Sequence, residues 1–187
     1  MEKNFKLVAH IKIIMGPIEY YYPPDIERLF YQESCKNTPI FVRFFMLYAS
    51  FNSRISRDSG KIRDSDMIRW VKKRSSEYRD RFNHLIENDR EFRDYVRKLS
   101  HIRVRNIREE KRKQLALNAG RQHKPWGKLY HIMENERDFD TLIDIIYQVR
   151  CNLFHGGKNI NLRLERHLID LCYNILNSLY EPFIGEL

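Results

Sequence analysis

Glycine and proline are scarce in this chain, at seven and six of 187 residues. A protein of many short strands needs more of both at its turns, so an all-β fold is not expected. Cysteine is scarcer still. Cys35, Cys151 and Cys172 are odd in number and scattered, offering neither a disulfide framework nor paired zinc-ligand spacing. They fit a reducing compartment. No run of 18 apolar residues occurs, so no membrane-spanning helix is expected. The first stretch, MEKNFKLVAHIKIIMGPIEYYYPP, has lysine within its apolar run and no small-residue cleavage site. It does not read as a signal peptide, and a cytoplasmic location is the expectation. Familiar catalytic signatures are missing as well. There is no HExxH, GxSxG or GxGxxG, and Gly156-Gly157-Lys158 lacks the earlier glycine of a phosphate loop. No metal site and no cofactor are expected.

Positive charge and helical periodicity are what the chain does have. Hydrophobic residues make up 42%, enough for one compact domain over residues 1–187, with 1–24 as an N-terminal arm. The formal net charge is +9. Residues 97–128 alone hold eleven Lys and Arg against two acids, Glu109 and Glu110, so the remainder is neutral overall. One reading of this basic connector, centred on 99–124, is a solvated face. The other is a footprint for a polyanion, most simply RNA, with Arg103, Arg105, Arg108, Lys111, Arg112 and Lys113 meeting phosphates.

Apolar spacing predicts an all-α bundle of antiparallel helices, with the basic segment inserted between them. A short helix starts at Asp25 as N-cap. Asn37 and Thr38 cap a second, with Pro39 in its first turn and a stripe from Phe41 to Ile55. RDSGKIRDSD (57–66) reads as a loop. Met67, Trp70, Val71, Tyr78, Phe82 and Leu85 mark one long helix from Asp66, and REFRDYVRKL either continues it or starts another after Asn88-Asp89. A basic helix is expected over Ile107–Ala119, ending at Gly120, and a short element from Pro125. Residues 138–155 form a helix ended by Gly156-Gly157, and the last helix runs from about Leu162 to Tyr180. Trp70 and Trp126 belong to the core.

On the helix over 138–155, Phe139, Leu142, Ile143, Ile146, Val149 and Leu153 fall in one arc, and Arg150 stands at its edge. An arginine there needs a partner or a cleft. His155 lies about 140° from Arg150 on a regular helix. The two would meet only through an unwound last turn or a second copy of the chain. Taken alone, His155 is also an ordinary helix C-terminal cap, and Arg150 an ordinary ion-pair partner.

The stretch VRCNLFHGG (149–157) resembles the Arg-x4-6-His signature of HEPN domains, with Arg150 and His155 as Arg-x4-His. FFMLYASFNSRI (Phe44–Ile55) is similar to the aromatic-Ala-x-Phe-Asn helix that precedes that signature in many HEPN proteins. Cys151 stands where many members carry Asn, Asp or His, and Asn152 is the nearest polar residue to take that place. The resemblance implies a HEPN-like bundle and a metal-independent endoribonuclease, a toxin or antiviral-defence effector that works as a homodimer. It implies Arg150, His155 and Asn152 as catalytic residues; Lys158 is placed to meet RNA phosphates. Asn52 either supports the cleft or only hydrogen-bonds the following turn. Two other readings remain open: a non-catalytic RNA-binding or dimerisation module, which Cys151 favours, and a toxin held silent by an antitoxin partner.

Overall fold

The computed structural model describes residues 24–125, 127–154 and 163–184. The expected N-terminal arm, Trp126, and the segment carrying His155, Gly156, Gly157 and Lys158 lie outside the described residues. The fold is all-α. Eight helices are described: α1 (Pro24–Ser34), α2 (Ile40–Ser59), α3 (Asp64–Arg74), α4 (Ser76–Asn88), α5 (Arg90–Ser100), α6 (Ile107–Asn118), α7 (Phe139–Phe154) and α8 (Arg163–Ile184). β1 (Val104–Arg105) and β2 (Tyr130–His131) pair antiparallel, with Val104 opposite His131 and Arg105 opposite Tyr130. None of these helices is long and apolar enough to cross a membrane.

Helix α8 is central. Leu168, Ile169, Leu171, Cys172, Tyr173, Ile175, Leu176 and Leu179 are all buried, which places apolar residues around most of its circumference. Helices α2, α4, α5 and α7 pack on it, while α1 covers α2 and α3 bridges α2 to α7. Beneath α1, the Glu27 carboxylate accepts from Tyr180 Oη at 2.6 Å and from Arg57 Nη1 at 2.5 Å. Ser50 Oγ donates to the Glu27 carbonyl at 2.8 Å. A buried acid so fully engaged holds α1, α2 and α8 in one register.

Several boundaries differ from the sequence expectation. Helix α1 begins at Pro24, so Asp25 is inside it rather than capping it. Pro39, with φ −53° and ψ 138°, is itself the N-cap of α2 instead of a first-turn residue. The expected loop over 57–66 shrinks to four residues, 60–63. Helix α2 runs on to Ser59 and stops at Gly60 in the left-handed region (φ 65°), and α3 starts at Asp64. The expected long helix after Asp66 breaks at Ser75, whose φ −91° and ψ 95° are extended. On either side of the break, α3 packs on α2 and α7, while α4 packs on α5 and α8, with Tyr78 against Phe51 and Phe183 and Phe82 against Phe92 and Phe139. Asp89 then caps α5, accepting from the Phe92 amide at 3.0 Å. The basic helix falls where expected, ending with Gly120 at φ 62°. The element expected from Pro125 is the short strand β2, and the last helix extends past Tyr180 to Ile184 despite Pro182. Trp70 packs, half-buried, against the core.

Candidate functional site

Arg150 lies just before the last turn of α7, at the edge of the apolar arc formed by Leu142, Ile143, Ile146 and Val149. Its side chain is 15% exposed. A guanidinium so covered needs a counter-charge, and the first residue of α3 supplies it: Arg150 Nη2 lies 2.9 Å from Asp64 Oδ2. Asp64 in turn is held from α2, where Asn52 Nδ2 donates to its other oxygen at 3.0 Å. Asp64 also sits at a helix N-terminus with Asp66 in the same turn, where a negative charge is favoured. One carboxylate therefore joins the consecutive helices α2 and α3 to the distant α7.

Aromatic rings complete the setting. The Arg150 guanidinium lies 4.1 Å from the centre of the Phe154 ring and 5.5 Å from that of Tyr48. Phe154 packs on Phe45, with ring centres 4.4 Å apart, and remains 40% exposed. Tyr48 is buried, and its phenol is pushed well above its usual range, first by burial and then by Asp64, with Arg150 opposing. Burial draws the Arg150 pKa down, but Asp64, Tyr48 and Cys151 together outweigh it and the net direction is up. The guanidinium is thus fully charged at any physiological pH.

Three polar atoms around this ion pair are buried and have no hydrogen-bond partner among the described residues: Arg150 Nε, Asn52 Oδ1 and Tyr48 Oη. An unpaired buried group costs about 1–3 kcal/mol. The three belong to residues of α2 and α7.

The other candidate residues are arranged differently. Asn152 is 2% exposed and faces away from Arg150, two residues on and about 200° around the helix. Its Oδ1 accepts from Gln148 Nε2 at 2.9 Å and from the Ile107 amide at 3.3 Å, and its Nδ2 donates to the Arg105 carbonyl at 2.7 Å. Asn152 therefore fastens β1 and the start of α6 to α7 and does not turn toward the guanidinium. Within the basic segment, Arg103 stacks on Tyr130, 3.2 Å from the ring centre. Arg105 forms a two-pronged pair with Glu110, both contacts 2.7 Å, and Arg112 pairs with the buried Glu109 at 3.2 Å. Both acids of the segment are thus engaged with its own arginines. Arg108, Lys111 and Lys113 are exposed. The structure ties this segment to the same end of α7 as Arg150 but on the opposite side.

Asn52 does more than hydrogen-bond the turn after its helix, since its amide reaches α3. Asp64 was not singled out by sequence reasoning, because it fell within a stretch read as loop. The available signal was the arginine itself: a cation on an apolar arc requires an acid, and an Asp at a helix start is a stable one. Among the described residues no group of three or more His, Cys, Asp or Glu side chains could hold a metal ion. No protein-family model, curated protein or solved structure matches this chain.

Proposed function

We propose that this protein is a HEPN-like, metal-independent endoribonuclease, a toxin or defence effector that works as a homodimer on cellular or viral RNA. The observation that supports it is Arg150: a charged guanidinium 4.1 Å from the centre of the exposed Phe154 ring, five positions before His155. In this reading Arg150 holds the scissile phosphodiester and stabilises the charge that builds on it. His155 takes the proton from the ribose 2′-hydroxyl, whose oxygen attacks phosphorus. The bond to the 5′-oxygen breaks, and that oxygen leaves with a proton from a second imidazole or from water. The products are a 2′,3′-cyclic phosphate and a 5′-hydroxyl. Dimerisation brings two such pairs to one cleft. Asn152 then serves by fixing the end of α7, while Lys158 and the exposed Lys111 and Lys113 draw in the polyanion.

Labelled RNA incubated with the purified chain in EDTA tests this directly. The expected result is cleavage to cyclic-phosphate ends, no cutting of DNA, and a loss of at least about 100-fold for Arg150→Lys and His155→Ala. Intact RNA, or variants as active as the parent, would end the nuclease reading. A non-catalytic RNA-binding or dimerisation module is then the better account. It is favoured by one observation, the separation of the basic segment from Arg150 around α7. Salt-sensitive RNA binding without cleavage selects it.

A further inference from the structure

An arginine that binds a phosphodiester must present the correct edge of its planar fork at the correct angle. A long, flexible side chain does not do this unaided. In this protein two contacts aim the side chain. Asp64 Oδ2 takes Nη2 at 2.9 Å, and the Phe154 ring lies 4.1 Å from the guanidinium carbon. Together they fix a point and a plane. Arg150 Nε is buried and has no hydrogen-bond partner among the described residues. Asp64 itself has little freedom: it begins α3, and Asn52 Nδ2 holds its second oxygen at 3.0 Å.

We infer that Asp64, steadied by Asn52, is the positioning residue of Arg150, holding its guanidinium in one orientation for the phosphate of the RNA. The inference rests on the nuclease reading for its catalytic consequence, although the arrangement of the arginine can be tested without it. Asp64 does not touch the substrate. Its negative charge opposes phosphate binding, which separates positioning from simple attraction. Removing the charge while keeping the shape leaves ground-state binding unchanged or tighter. It also frees the guanidinium to swing, so the transition state loses a fixed donor.

The experiment compares the parent with Asp64→Asn and Asn52→Ser. Steady-state RNA cleavage gives kcat and KM. ¹⁵N spectra of arginine Nε–Hε groups, with the Arg150 signal identified by its loss in Arg150→Lys, report the side chain itself. The expected result for Asp64→Asn is a fall in kcat of about 10- to 100-fold with KM equal or lower. Its Arg150 Nε–Hε signal, slow to exchange in the parent, should broaden or vanish. Asn52→Ser should show the same pattern more weakly, and it decides the matter if Asp64→Asn does not fold. An unchanged or raised kcat overturns the inference and makes the ion pair an inhibitory contact. A parent that cuts no RNA ends the nuclease reading, and the spectra alone then decide: an Arg150 signal indifferent to both substitutions refutes the positioning role.

Discussion

His131 shows how one half-buried side chain ties stability to pH. It lies in β2 opposite Val104, and its Nδ1 is buried without a hydrogen-bond partner among the described residues. Burial lowers its pKa below the ordinary 6.5, helped by Lys128 and Lys72 and opposed by Asp144. The unfolded chain therefore accepts a proton at a higher pH than the fold does. The stability contributed by the neutral ring is complete above about 6.5 and is lost as pH falls toward the depressed value. Thermal unfolding followed between pH 7.5 and 5.5 should show a falling midpoint, and His131→Gln should flatten that slope. A slope identical in the variant would assign the acid sensitivity to other groups. Arg150 is the opposite case, a cation kept charged because its carboxylate is built in.

Among the elements, α7 does the most joining. On one side Arg150 takes Asp64 from the start of α3, and on the other Asn152 fastens β1 and α6. Asn152→Ala would leave the Arg105 carbonyl, the Ile107 amide and the Gln148 amide short of partners. The expected cost is about 2–3 kcal/mol in urea unfolding, with amide exchange rising first in β1 and α6. Uniform acceleration along the chain would show instead that the ribbon and bundle open together. This division explains what could be read beforehand. The apolar arc of α7 and the odd position of Arg150 follow from a 3.6-residue period, and the capped helix over Ile107–Asn118 from local chemistry. The break at Ser75 does not, since Val71 and Tyr78 keep the same phase across it and only the distribution of neighbours separates α3 from α4. Asp64 escaped for a related reason. Its role is defined by residues twelve before and eighty-six after it, and no local pattern contains them.

For the whole molecule, charge and core are spatially distinct. Most of the excess of Lys and Arg is carried by the β1–α6–β2 excursion, eight of them against two acids, and those acids are already engaged with Arg105 and Arg112. If RNA is the partner, Lys111→Glu with Lys113→Glu should weaken binding across all sequences. The slope of log affinity against log salt should become shallower by about 1 to 1.5. Binding that keeps its full salt dependence would move the contact surface elsewhere. The ribbon has one more consequence. Because Arg105 and Tyr130 are ladder partners, the chain departs from the bundle and returns to it within about 5 Å. A two-residue hairpin turn spans that gap. The cationic helix is therefore a detachable appendage: a shortened chain closed there would retain every helix that packs on α8, along with the contact between Arg105 and Asn152.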